Sequence, residues 1–204
     1  MNRDQALKLL HEHMENQNLR RHCYAVEAVM RALYRRLDGK DKSSSAKASE
    51  ETWGIIGLLH DGDYEETKAT PELHTLKMAE WLKKEGVTDK EILEAILSHN
   101  YSHTGQNPST SLGASPPKNK LEWSLYCCDE LTGMIVAVAL VKPNKTLAEV
   151  TVDSVLHKWD QRSFAAGVKR EQIEECDPRL GIPLREFIEI ALNAMQNIHE
   201  DLGL

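Results

Sequence analysis

The stretch Trp53-Gly54-Ile55-Ile56-Gly57-Leu58-Leu59-His60-Asp61-Gly62 decides how this chain is read. An apolar run of helical length ends in an adjacent histidine and aspartate, and a glycine follows. A helix of this kind delivers two metal-capable side chains where a core meets a cleft. Alone, a His-Asp dipeptide carries little weight. Its weight comes from company, because His22 lies upstream in a second helical pattern and Asp129 downstream in a third. His74 and His99 fall between them, at helix edges. The chain thus offers His22, His60, Asp61, His74, His99 and Asp129 from five separate segments. Such a set fits a divalent metal centre that activates water.

Helical phase supports the grouping. Leu19, His22, Val26, Val29 and Leu33 share one face; Trp53, Ile56, Gly57 and His60 share another. Ile92, Ala95, Ile96 and His99 form a third stripe, and Leu121, Leu125, Cys128, Asp129, Thr132 and Val136 a fourth. Each stripe carries an ionisable side chain among apolar ones. A buried charge costs several kcal/mol unless it is paired or bound to a metal. A single histidine on an apolar face is most often just a hydrogen-bonded core residue. Four such coincidences relieve one another by converging on one ion. His74 also reads as a cap near Pro71. His11, His13, His157 and His199 read as surface histidines, and His103 lies in a loop within reach of a site.

The chain has 204 residues, a formal net charge of -7 and 41% hydrophobic residues, which suits an ordinary globular protein. The acidic balance argues against a surface for long nucleic acid but leaves a nucleotide substrate open. Aromatic content is 5%, which disfavours sandwich and barrel folds. Cys23, Cys127, Cys128 and Cys176 form no C-x-x-C pair or disulfide framework, so a reducing compartment is expected. The start, MNRDQALKLLHEH, is charged and lacks a signal-peptide core. No apolar run reaches the roughly 20 residues of a membrane span, the longest being 134–141. A cytoplasmic location and no membrane partner are the expectations; the oligomeric state is left open.

The pattern is helical nearly throughout, and no segment alternates with period two. Helices are expected over 4–14, 18–37, 50–59, 71–84, 89–98, 120–141, 146–149, 152–159, 170–176 and 183–202. Thr88-x-x-Glu91 reads as a capping box. Residues 40–49 form a Lys/Ser/Ala loop. Residues 102–119 are rich in Ser, Thr, Pro, Gly and Asn, and read as a long loop beside His99 with the makings of a lid. One all-α domain spans 1–204, with a metal-site core at 18–141 and a short C-terminal helical extension at 142–204.

At these residues the chain resembles the HD-domain metal-dependent phosphohydrolase superfamily. The pattern there is a His, an adjacent His-Asp and a distant Asp, all on helices. Here those are His22, His60-Asp61 and Asp129. Gly57-Leu-Leu-His-Asp-Gly-Asp63 is similar to the subgroup with "LLHDIG", with Gly-Asp in place of Ile-Gly. Cys128-Asp-Glu-Leu-Thr-Gly133 looks like the helix of the last aspartate. The resemblance implies an HD-domain helical bundle, one or two divalent metal ions and phosphoester hydrolysis. His74 and His99 occupy places that support a second metal in some members.

Mixed His/carboxylate ligation suits Mn, Fe, Co, Ni or Zn. Asp61 is the expected catalytic residue, holding a first metal with His22, His60 and Asp129 and bridging to a second. Asp63, Glu65 and Glu66 follow it and read as a solvated acidic turn or a source of a general acid or base. Lys142, Lys158 and Arg162 are the expected substrate-binding cations, with Lys145 beside them and 162–167 as an anion-binding turn. The expected function is metal-dependent hydrolysis of a small phosphorylated metabolite, a nucleotide or another phosphomonoester. A di-iron oxygenase and a non-catalytic nucleotide- or protein-binding module are the alternatives.

Overall fold

The computed structural model describes residues 1–37, 49–101 and 115–204. The expected loop at 40–48 and the greater part of the expected lid, 102–114 with His103, lie outside the described residues. Among the described residues every regular element is a helix. In chain order these are α1 (Arg3–His13), α2 (Gln17–Leu37), α3 (Glu50–Leu59), α4 (Tyr64–Thr67), α5 (Leu76–Lys84) and α6 (Lys90–His99). Then follow α7 (Lys120–Leu140), α8 (Val152–Trp159), α9 (Arg170–Glu174), α10 (Cys176–Leu180), α11 (Leu184–Gln196) and α12 (His199–Leu202). Short 3-10 turns lie at Pro71–Leu73 and Leu147–Glu149.

Helix α3 is apolar on almost every face, and Trp53 through Leu59 are all buried. It packs between α2, α1, α6 and α7. Its closest approach is to α2, at Gly57. A Cβ there would stand 2.8 Å from the Val26 carbonyl oxygen and 3.0 Å from Glu27 Cα. Glycine therefore lets two backbones touch one turn before His60, and one turn after His22 on the facing helix.

Helix α7 receives α2, α6, α9 and α10. Its length and composition would let it cross a membrane, a property the run-length reading of 134–141 does not bring out. Here it is a core helix with Leu125, Leu131, Ile135 and Val138 buried. The C-terminal helix α11 packs on α2, α7 and α8, so the segment after 141 completes the same bundle.

Several boundaries differ from expectation for local reasons. The helix expected over 71–84 is divided by Thr75, a β-branched residue in the left-handed region with φ 72. That break leaves His74 outside α5, at the end of the 3-10 turn. Helix α6 is capped by Asp89, whose side chain accepts from Glu91 N at 2.9 Å, and not by a Thr88 box. The helix expected over 170–176 is two pieces, α9 and α10, and the one over 183–202 is divided at Asn197 and Ile198.

Candidate metal centre

Six side chains from α2, α6, α7 and the turns after α3 and before α5 meet in one cluster. His22 Nε2 lies 3.0 Å from Asp129 Oδ1 and 3.7 Å from Asp61 Oδ2. His60 Nε2 lies 3.4 Å from Asp129 Oδ1 and 3.7 Å from Asp61 Oδ1. His74 Nε2 and His99 Nε2 approach Asp61 Oδ1 at 3.0 and 3.3 Å. The Asp61 carboxylate thus turns one oxygen toward His22 and the other toward His60, His74 and His99. Two overlapping sets are compact enough for an ion each: His22, His60 and Asp129, and His60, Asp61 and His99.

The outer nitrogens explain the orientation of the rings. His60 Nδ1 donates to the Gly57 carbonyl at 2.8 Å, and His99 Nδ1 to the Ile96 carbonyl at 2.7 Å. His74 Nδ1 donates to Asp63 Oδ1 at 2.7 Å. Thr132 Oγ1 donates to the Asp129 carbonyl at 2.8 Å, which leaves its lone pairs for His22 Nδ1 at 3.2 Å. Each Nδ1 proton is committed outward, so each Nε2 presents a lone pair to the centre. Outer hydrogen bonds of this kind are what orient metal-ligating histidines.

The donor set fits a divalent transition metal. His60 Nε2 is fully buried and, among the described residues, has no well-formed hydrogen bond, its nearest acceptor being Asp129 Oδ1 at 3.4 Å. A buried polar nitrogen without a partner is costly, and an ion removes that cost. The four shorter spacings, 3.0–3.4 Å, agree with ligand atoms about 2.0–2.2 Å from a shared ion, which stand roughly 3.0–3.6 Å from one another; the two 3.7 Å contacts of Asp61 with His22 and His60 lie just outside that range. All the atoms are nitrogen or carboxylate oxygen, which suits Mn, Fe, Co, Ni or Zn.

Without an ion the charges hold each other. Burial opposes the charged form of His60, but the Asp61 and Asp129 carboxylates outweigh it and lift the imidazole to about 9. His74, beside Asp61 and Asp63, is lifted to about 10 against the same burial effect. Burial alone would raise both ligand carboxyls. His60, His74 and His99 hold Asp61 well below its usual range, and His22 with His60 does the same for Asp129.

A cavity of about 290 Å³ opens onto this cluster. Asp61, His74, His99 and Asp129 form its floor, and Tyr64, Thr67, Lys68, Pro71, Asn100, Lys169 and Gln172 its remaining lining. The Tyr64 ring meets the His74 ring edge-on at 5.5 Å and is 40% exposed.

The expected substrate cations Lys142, Lys158 and Arg162 are not among the described residues that line this cavity. Lys142 follows α7 thirteen residues after Asp129, about 20 Å along the helix axis. Lys158 Nζ donates to Gln161 Oε1 at 3.0 Å and sits over the Phe164 ring. Arg162 pairs with Glu171 at 2.8 Å, where both side chains are exposed. The turn at 162–167 and the residues before it point carbonyls toward a cation. The buried Arg170 guanidinium donates to the carbonyls of Trp159 and Phe164, both at 2.7 Å, and to that of Gln161 at 3.3 Å.

Asp63 has a role that its sequence reading did not include. It is not part of a solvated turn: it is fully buried, and its Oδ2 accepts from Met78 N at 3.0 Å while Oδ1 holds His74. Its neighbours behave differently. Glu65 accepts from Glu15 N and Asn16 N, and Glu66 pairs with His13 and Lys77. His13, read as a surface residue, stacks on Trp81 with ring centroids 3.6 Å apart.

Residues 19–139 match the family model described as HD domain. No curated protein and no solved structure matches the chain.

Proposed function

This chain belongs to the HD-domain family, and on that footing we propose that it is a metal-dependent phosphohydrolase acting on a small phosphorylated metabolite. The observation that carries the proposal is the Asp61 carboxylate, set between His22 on one oxygen and His74 and His99 on the other. In this reading His22, His60, Asp61 and Asp129 hold one ion, and Asp61 with His74 and His99 holds a second. When bound, a divalent transition ion supplies water activation and charge offset at the phosphoryl group.

The protein's own groups do the rest. Asp63 and Thr132 keep the His74 and His22 rings in register. The apolar packing of α3 keeps bulk water from the His60 side. The cavity accepts a substrate of metabolite size, and its volume, about 290 Å³, favours a nucleotide or another small phosphomonoester over a polymer. A net charge of -7 weighs in the same direction.

A second reading has an observation of its own. His74 and His99 both lie in the cluster, which is what a di-iron oxygenase needs. A non-catalytic binding module has less in its favour, since it has no use for a full ligand set around an unpartnered buried nitrogen.

The test is metal analysis joined to phosphate release from a panel of nucleotides and sugar phosphates with Mn, Fe, Co, Ni or Zn. Release that disappears in Asp61→Ala, with helix content unchanged, is expected. No release with any metal, together with oxygen consumption on a small polyol or phosphonate, would move the protein to the oxygenase class.

A further inference from the structure

We infer that Lys68 and Lys169 form an anion-binding pair that receives the substrate's phosphate beside the metal cluster; this rests on the phosphohydrolase reading above. The two lysines are brought together from elements far apart in sequence. Lys68 closes the short helix α4, where its N–H donates to the Tyr64 carbonyl at 2.9 Å. Lys169 opens α9. Both line the cavity whose floor is Asp61, His74, His99 and Asp129.

The charge pattern of the lining runs against that of the chain. The chain carries 32 acidic and 25 basic residues. Among the described lining residues the acids are Asp61 and Asp129 alone, and both belong to the ligand cluster. The cations that remain are the two lysines. Lys68 is exposed and has no ion pair among the described residues. Lys169 has one distant partner, Glu130 Oε1 at 4.0 Å, and its side chain is 60% exposed. Neither ammonium is consumed by structure, in contrast to Lys158 and Arg162.

The position of Lys169 is built. Its N–H donates to Glu130 Oε2 at 3.1 Å, one residue from the ligand Asp129. The next residue, Arg170, is buried and gathers the carbonyls of the preceding loop. A lysine held this way offers a point charge on a flexible stem, which suits a phosphate that turns or leaves. A substrate phosphate that meets metal on one side needs cations on its remaining oxygens, and these two supply them.

The experiment measures binding of inorganic phosphate to the full-length, Mn-loaded protein by calorimetry at low and moderate salt. Lys68→Gln and Lys169→Gln should each weaken binding by about threefold to fivefold, and the double variant by roughly tenfold or more, as expected for partly exposed charge pairs. Metal content and melting temperature should stay at wild-type values. Lys142→Gln and Arg162→Gln should bind phosphate as wild type does. A double variant with wild-type affinity would overturn the pair and leave the metal-centre reading standing. Loss of affinity in Lys142→Gln or Arg162→Gln instead would overturn it by moving the anion site. A wild-type protein that binds no phosphate and hydrolyses none of the panel would sink the pair and the phosphohydrolase reading together.

Discussion

The imidazole of His74 hangs from the carboxylate of Asp63, with Nδ1 donating to Oδ1 at 2.7 Å. The same carboxylate accepts from Met78 N, so one buried group both orients a candidate ligand and anchors the first turn of α5. Asp63→Ala leaves two buried donors without partners and should cost about 1–3 kcal/mol of stability. It should also weaken retention of a second metal equivalent by about 10–100-fold. Metal stoichiometry after dialysis, beside the melting temperature, checks both. A variant that keeps two equivalents as tightly as wild type would remove Asp63 from the site.

Gly57→Ala pushes a Cβ against the α2 backbone, 2.8 Å from the Val26 carbonyl oxygen. Backbone cannot swing aside, so α3 must shift, at a cost of about 1–3 kcal/mol. The shift carries His60 away from His22 and should lower metal affinity as well. Gly54→Ala is the comparison. There the new Cβ meets the Arg31 guanidinium, at 2.5 Å, which is the far end of a side chain held by Glu27. Gly54→Ala should destabilise less and leave metal binding intact. Equal metal loss in both variants would contradict the close-approach argument.

Acid and base each destabilise the metal-free protein, through different groups. His60 and His74 are lifted to about 9 and about 10, above the roughly 6.5 of an unfolded histidine. Groups raised on folding stabilise fully below the unfolded value and lose that contribution as pH rises through the folded one. The melting temperature of EDTA-treated protein should therefore fall between about pH 6.5 and 10. Asp61 and Asp129 are held low, so their contribution is lost on acidification below the ordinary aspartate range of about 3.9. Metal displaces the histidine protons, so loading should release protons and tighten with rising pH. A melting temperature that stays flat in EDTA from pH 7 to 10 would count against the coupling.

Arg170→Met removes the donors that gather the carbonyls of Trp159, Gln161 and Phe164. One buried and two part-buried acceptors lose their partner at once, so the loss should be about 1–3 kcal/mol. Limited proteolysis should then cut within 159–168 before it cuts α3 or α7. First cleavage elsewhere would show that the guanidinium does not organise this loop.

The ligands on long helices were the legible part of the site. His22, His60, His99 and Asp129 stand out because an ionisable residue interrupts an apolar stripe, and stripe phase is a local property of sequence. The bounds of α3 and α8 follow from the same periodicity and from their caps, Ser49 and Thr151. Asp63 was illegible because its value depends on His74 and Met78, which reach it only through the left-handed turn at Thr75. Helical patterning across 71–84 gives no sign of that turn. The expected cations lie off the cavity lining for a related reason. Lys142 follows the Asp129 helix in sequence, but a straight helix carries it away from the ligand, whereas Lys169 returns to the cluster from a separate element. Nearness along a chain and nearness in space diverge most where helices are long.

The cavity wall at Lys169 and Gln172 has a consequence for how this protein is divided. The last ligand helix, α7, ends at Leu140, and α9 begins thirty residues later at Arg170. The stretch that carries the candidate ligands and the stretch that forms this wall of the cavity are therefore separate pieces of chain. A chain cut at 141 would keep all six candidate ligands in its sequence but lose this wall and the helices that pack on α2 and α7. Under the proposed function, changes at Lys169 and Gln172 would bear on which compound the cavity accepts while leaving the candidate ligands in place.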